Sequence, residues 1–595
     1  VVQESKKLKV VNLRWCDDLV KAPDLSFSGS LEVINLDVCC DMGGELHISN
    51  FKKLKLLRLS GSKITELKGD IQMLQDLKEI EILHLVSCLV EVPALPTSLK
   101  QLTLSSPRVP NLLELKDLEV LCFQNCYNGP QIPGDIGLQL PKLKKLNVDS
   151  CGALETLLLE VVSALPSSLN SLVVRSCQKL ERLPNLANLS NLTELRLVLV
   201  VVHEISGLGE LRMLETLEIS RAPHLENLDG LENLVLLQRL TLDRCDAVEK
   251  LPSLSSLVKL HTLKIRRCKD LFEIQGRFEA LQSLEELDIS SCTSFQKLSN
   301  LSALKNLKKL TIRDGAQLAK LEELDRLESL ECLDMEGCMS IEKLPPNMFN
   351  LKNLWSLSIV ECMSWTFTED CGLEGLNSLK KLYISGCRSI IRLPNLCGLP
   401  NLIDLDIREC TELTDVMGLR RLESLRRLNL TDCASIVRLP NLSDLKNLKV
   451  LNIGGCKQLT EIRGLESLET LQALAMSNCK SINKLPDLSC LEYLRYLDVR
   501  ECTQLTEVMG VESWESLELL AMSNCKSISN FSDLSGLKNL KHLDIRGCSQ
   551  LTEIIGLHKF KSLQVLGLHN YTAVSILGDP FRDLHWKYLA LATLK

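Results

Sequence analysis

One phrase, L-x-x-L-x-[LIVM]-x-x-C, returns along the whole chain and leaves few folds open to it. Leu237, Leu240, Leu242 and Cys245 make one copy, and Leu260, Leu263, Ile265 and Cys268 make the next. From Cys387 the phrase recurs without slippage at Cys410, Cys433, Cys456, Cys479, Cys502, Cys525 and Cys548, 23 residues apart each time. Traced back to Leu8, Val11, Leu13 and Cys16, it amounts to 25 copies. Nineteen of the 25 end in Cys, and the others carry Ser62, Pro107, Val200, Ala222, Gly315 or Tyr571 there. A unit this short cannot bury its own leucines, so the units must stack and stabilise one another.

Within each phrase the second and third apolar positions alternate with polar ones, the period of a short half-buried strand. Stacked coils then place their strands in one parallel sheet, while the remaining residues turn and run back. A second apolar set, such as Leu445 and Leu448, faces inward from that return. The expected fold is an α/β solenoid, a leucine-rich-repeat horseshoe or superhelix of about 25 coils. Its parallel β-sheet lies on the concave face, with short helical turns and extended segments on the convex face.

A longer period overlays the short one. Units such as CTELTDVMG from Cys410 alternate with units such as CKSINKLPDL from Cys479, a 46-residue pair. Gly418, Gly464, Gly510 and Gly556 supply permissive backbone at the turn. Pro394, Pro440 and Pro486 favour extended chain instead of helix. Residues 1–595 read as a single domain: irregular repeats over 86–180, regular 23-residue repeats in 46-residue pairs over 222–571, and a C-terminal cap over 572–595. In the irregular stretch the spacings run 19, 19, 25 and 26, and extra Pro and Gly predict a local change of curvature.

Hydrophobic residues make up 45% and aromatic ones only 4%, so the core is aliphatic. A net charge of −7 argues against general affinity for nucleic acid. No apolar run approaches the roughly 18 residues of a membrane span. The opening residues, with Glu4, Lys6, Lys7 and Lys9, do not read as a signal peptide. A start without Met, inside a repeat, suggests a segment of a longer protein. The 25 cysteines form no C-x-x-C pair, and most recur singly with the repeat. The ladder Cys245, Cys268, Cys410, Cys433, Cys456, Cys479, Cys502, Cys525 and Cys548 is therefore read as structural, each thiol a small apolar group where the chain turns inward. Abundant unpaired thiols point to a reducing, cytoplasmic compartment. No metal site or cofactor is expected. G-x-x-x-x-G-K-[ST], G-x-S-x-G and H-E-x-x-H are all absent, and the nine His are scattered, so no enzyme is expected.

Function then falls to the exposed strand positions. Arg239, Arg244, Lys264, Arg266 and Arg267 form a basic cluster over two adjacent coils. Arg313 and Tyr383 stand on the same face, and Asp334, Glu336 and Glu361 make an acidic group. Separated charge of both signs suits electrostatic steering of a protein partner, although a solvated sheet would also carry charge. Asp406/Arg408, Asp498/Arg500 and Asp544/Arg546 alternate with Ala475/Ser477 and Ala521/Ser523, which duplication alone explains. Trp365, Phe367 and Trp514 lie on return segments, either as exposed contacts or, more in keeping with their setting, as core.

With CQKLERLPNL from Cys177, LENLDGLENLVLLQRLTLDRC ending at Cys245 and CKSINKLPDLSCLEYLRYL from Cys479, the chain resembles the leucine-rich-repeat region of plant intracellular immune receptors. It looks closest to the flax rust-resistance family of Toll/interleukin-receptor, nucleotide-binding, leucine-rich-repeat proteins, and the opening LKVVNLRWCDDLVKAPDL extends that likeness to essentially the whole chain. The resemblance implies a recognition segment that binds or senses a pathogen effector protein. It also implies restraint of an upstream nucleotide-binding domain of the same receptor, with oligomerisation only through the full-length receptor and an NAD-cleaving domain upstream. Two other classes stay open: a cytosolic scaffold or ubiquitin-ligase substrate adaptor, and an extracellular receptor ectodomain, which would have Asn in place of Cys and paired cysteine caps.

Overall fold

The computed structural model describes residues 7–568 apart from 22, 26–27, 60–62, 70–73, 75, 83–94, 106–111, 127–135, 156–164, 277, 297, 299–300, 319–320, 322, 368–371, 530–532 and 552–553. The expected cap over 572–595 lies outside these residues, as do the loops that hold most of the extra Pro and Gly between 83 and 164. Packing divides the chain into two compact units, Val1–Phe295 and Gln296–Lys595. Each is built from short parallel strands, 25 of them in the main sheet and four more in two small pairs among the described residues. Those through Glu286–Ser290 belong to the first unit, and those from Lys309–Arg313 onward to the second.

Register follows the repeat. Leu217, Leu240, Leu263 and Leu287 stand side by side on successive strands, as do Leu382, Leu405, Leu428 and Leu451 in the second unit. All eight are buried, so the leucine that defines the phrase is the one that fills the solenoid interior. The irregular stretch keeps the same pairing: Glu79–Ile82, Gln101–Leu104, Val120–Gln124, Lys145–Asp149 and Ser171–Cys177 are successive parallel neighbours. Variation in coil length is thus taken up in the connections, not in the sheet.

Beyond the strand comes a feature that the repeat phrase does not announce. The residue before the ladder cysteine adopts positive φ in coil after coil, as at Arg244 (56°), Arg267 (53°), Glu409 (59°), Asp432 (59°), Glu501 (59°) and Asn524 (64°). Left-handed backbone is ordinarily left to Gly, Asn and Asp. Here Arg and Glu accept it because the turn gains a hydrogen bond: the amides of Arg267, Glu409 and Glu501 donate, at 2.7, 2.8 and 2.8 Å, to a carbonyl of the next coil. The chain then points inward, which seats the cysteine. Its thiol is not merely apolar filler, as sequence alone would have it. The Sγ atoms of Cys433, Cys502, Cys525 and Cys548 donate to the carbonyls of Ile407, Met476, Val499 and Met522 of the preceding coil at 3.0, 3.0, 2.9 and 3.1 Å. A serine would meet the same carbonyl but carry a more costly hydroxyl into an apolar site.

On the return side, short 3-10 turns alternate with extended chain. Turns such as Leu465–Ser467, Val511–Ser513 and Leu557–Lys559 each begin at a glycine in left-handed conformation, with φ 81°, 87° and 92°. The coil before each of these carries Asn441, Asp487 or Asp533, whose side chain accepts from the amide two residues on, at 3.0, 2.9 and 2.8 Å. A Cβ on Gly464 would strike the Asn441 side chain and lie 2.5 Å from the Ser443 amide nitrogen. The 46-residue pairing is therefore steric as well as ancestral, because a glycine coil is what fits against an Asn or Asp turn. Trp365 and Trp514 are both buried, and the Trp514 indole donates to the Leu488 carbonyl at 2.9 Å. The alternative of exposed aromatic contacts at these positions is set aside, since each ring closes the core of its own coil.

Candidate protein-binding surface

Strands of five residues present three outward rows. In the first unit they run Arg239, Thr262, Glu286; then Thr241, Lys264, Asp288; then Asp243, Arg266, Ser290. Alternation puts Leu and Ile inward and these residues outward, so in these coils the sheet's outer face is polar, while Val173, Val198, Val450 and Leu519 occupy the same rows elsewhere. The first of these rows, just before the second apolar position, was largely missed by the sequence reading, which marked residues around the third apolar position.

The five cations of the predicted basic cluster do come together, but not as a free positive patch. Lys264 pairs with Glu286 at 2.8 Å, and Arg266 Nε donates to Asp288 at 2.7 Å. Arg267 grips both oxygens of Asp243 at 2.7 and 2.6 Å. Arg239 donates to the Thr216 hydroxyl at 3.2 Å, and Arg244 is exposed with no ion pair among the described residues. The register explains the pairing, since the 24-residue offset at this coil sets Lys264 beside Asp288 and within reach of Glu286. Asp288 is almost fully buried beneath Arg266, with 4% of its side chain exposed. Reversing the charge of Lys264 and Arg266 would therefore leave that carboxylate without its cation, and cannot serve as a probe of binding alone.

In the second unit Arg313 bridges Asp334 at 2.7 Å and Glu336 at 3.3 Å, so the acidic group is likewise partly neutralised. Tyr383 is half-buried, and its hydroxyl donates to Asp404 at 3.1 Å. Burial, with the adjacent Asp404 carboxylate, pushes that hydroxyl up to about 12. Arg427 reaches the same Asp404 oxygen at 2.6 Å. Further along, Asp498 takes Arg500 through both oxygens at 2.9 and 2.7 Å, and Asp544 takes Arg546 at 2.8 Å twice. The aspartates at 498 and 544 also accept the backbone amide two residues on, which closes the strand after three residues.

Three ladder thiols are withdrawn from chemistry, while a hydrogen bond from the neighbouring Cys245 or Cys525 thiol lowers Cys268 and Cys548. Burial pushes Cys410, Cys433 and Cys502 up to about 12, so they stay protonated and neither attack nor ligate at neutral pH. Among the described residues no group of three or more His, Cys, Asp or Glu is placed to hold a metal ion. Among the described residues no helix is long and apolar enough to cross a membrane.

Residues 423–467 match the family profile described as Leucine Rich repeats (2 copies). That match and the strand geometry define a leucine-rich-repeat solenoid, a scaffold fold of protein interaction. Among solved structures the chain is similar to a leucine-rich-repeat protein of Leptospira interrogans at 20% identity, over 75% of this chain and 89% of that one, with a TM-score of 0.40. It is also similar to an internalin of Listeria monocytogenes at 20% identity, over 59% and 86%, with a TM-score of 0.37. A functional domain of InlJ from Listeria monocytogenes, which includes a cysteine ladder, matches at 20% identity over 53% and 68%, with a TM-score of 0.35.

Proposed function

We propose that this chain is the recognition segment of an intracellular plant immune receptor. It binds or senses a pathogen effector protein along the sheet face and restrains an upstream nucleotide-binding domain of the same receptor. It performs no catalysis itself, takes no cofactor, and works in the cytoplasm. The observation that carries the reading is the outer sheet face, a long polar array of charges held by neighbours, with little need to reorganise when a partner arrives. The free cysteines suit a reducing compartment. The C-x-x-L-x-x-L-P phrases supply the likeness to plant receptors. The same array serves a cytosolic scaffold or ubiquitin-ligase substrate adaptor equally well.

The test is capture of candidate effectors and of the receptor's own nucleotide-binding module by the full chain. Its variant is Arg239→Glu/Arg244→Glu, which spares the buried Asp288. Effector capture lost in the variant, with an unchanged melting temperature, supports a direct sensor. Capture of the upstream module alone makes the chain chiefly a clamp. Capture of neither, beside firm binding to a ubiquitin-ligase subunit, replaces the receptor reading with the adaptor.

A further inference from the structure

Beside the sheet, one residue before the first outward row, runs a flank row with its own pattern of charge. In the first unit it mixes both signs, with Lys55, Lys78 and Lys100 in succession between two carboxylates that pair with their neighbours. Lys9 and Lys55 both reach Glu32, at 3.2 and 2.7 Å, and Lys100 and Lys144 both reach Glu119, at 3.3 and 2.7 Å. In the second unit the same row reads Trp355, Lys380, Ile403, Arg426, Lys449, Gln472, Arg495. Backbone bonds between successive members, such as Arg426 to Ile403 and Lys449 to Arg426, both at 2.8 Å, hold them at one height on adjacent coils. No carboxylate interrupts this run until Glu518, which pairs with Lys541 at 2.6 Å.

Lys380, Arg426, Lys449 and Arg495 are exposed, and among the described residues none makes an ion pair or side-chain hydrogen bond, although the neighbouring Glu518 carboxylate feels the charge of Arg495. Arg427, beside Arg426, adds a charge that Asp404 answers at 2.6 Å. Stacking does not ask for this arrangement, since the first unit fills the same row with Asn170, Thr193, Gln238 and His261 as well as with charged pairs. Like charges on neighbouring strands repel and weaken the sheet slightly. An acidic partner lying against them would relieve that repulsion.

We propose that this row docks an acidic, extended segment of a partner protein, with aspartate and glutamate side chains meeting Lys380, Arg426, Lys449 and Arg495 in turn. From Lys380 to Arg495 the row covers about 24 Å at the usual spacing of roughly 4.8 Å between strands, the reach of about seven extended residues. Trp355 closes one end, 38% exposed and with the Lys381 ammonium 5.5 Å from its ring centroid, and offers an apolar anchor. A protein segment suits the row better than nucleic acid, because the positive strip is a single file. Glu423, Glu469 and Glu492 are exposed on the adjoining return segments and would repel a broad phosphate backbone. The strip rests on the reading of the chain as a protein-binding solenoid, and not on which sheet-face residues that reading uses.

The experiment is fluorescence anisotropy of the full chain with a labelled eight-residue peptide of alternating Glu and Ser ending in Leu, at 50 and 300 mM salt. Binding that weakens at least tenfold between the two salts is expected, and Arg426→Glu/Lys449→Glu should abolish it without lowering the melting temperature. Arg239→Glu/Arg244→Glu should leave peptide binding unchanged, so failure of the sheet-face reading and failure of the strip register separately. Absence of peptide binding, or equal binding by the Arg426→Glu/Lys449→Glu variant, overturns the proposal. Tighter binding of an oligouridylate of equal charge overturns the assignment to a protein segment.

Discussion

At the scale of single residues, position within the coil decides what a substitution costs. Leu405 is fully buried between neighbouring leucines, and an ionised carboxylate there would have no partner. Leu405→Asp is expected to abolish cooperative folding of the second unit, whereas Leu405→Ala should cost about 2–5 kcal/mol. Circular dichroism melts distinguish the two, and a folded Leu405→Asp chain would contradict the packing described. Glycines divide in the same manner. Gly464 has φ 81° and abuts the Asn441 turn, while Gly152 has nothing within 4 Å of where a Cβ would lie. Gly464→Ala should destabilise by more than about 1 kcal/mol, and Gly152→Ala should stay within about 0.5 kcal/mol of wild type. Equal effects in denaturant titrations would mean that the glycine–asparagine contact matters little.

The element that organises each coil is the strand with the turn that follows it. The strand was legible in the sequence because leucine spacing and period two agree, so the sheet, its parallel sense and its register all follow from one phrase. The cysteine was legible as structural. Its hydrogen bond was not, since the bond runs to a carbonyl 26 residues earlier, as from Cys433 to Ile407. Nor was the left-handed residue before it, since Arg, Glu, Asp and Asn share that position and no residue type marks it. Charges were easiest to find and hardest to interpret. Arg266 and Asp288 are separate letters in a list, and the 22-residue offset that makes them a pair emerges from the stacking. Cys433→Ala should cost about 1–2 kcal/mol, the sum of a lost hydrogen bond and a small void. Chemical denaturation would check it, and a neutral result would reduce the thiol to filler.

For the whole molecule, buried thiols add up. An unfolded thiol ionises near its ordinary value of 9.0, while Cys151, Cys410, Cys433 and Cys502 are held up to about 12 in the fold. Between those values the unfolded chain releases its protons first, so stability falls as pH rises. Each such thiol contributes a slope of about 1.4 kcal/mol per pH unit. Melting temperatures should therefore drop steeply above pH 9, and less steeply in Cys410→Ala/Cys433→Ala/Cys502→Ala. An identical alkaline profile for that variant would place the sensitivity elsewhere.

The cysteine ladder also makes the chain its own recording instrument. A buried thiol reacts with an alkylating reagent only when its coil opens, and most coils carry one at the same depth. Pulse alkylation followed by peptide mass spectrometry would then time the opening of each coil separately, without introduced labels. In a structure where each coil leans only on its neighbours, modification rates should vary smoothly from one coil to the next. Adding a partner should slow them first in the coils that it covers, so the footprint of binding could be read from the chain's native sulfur.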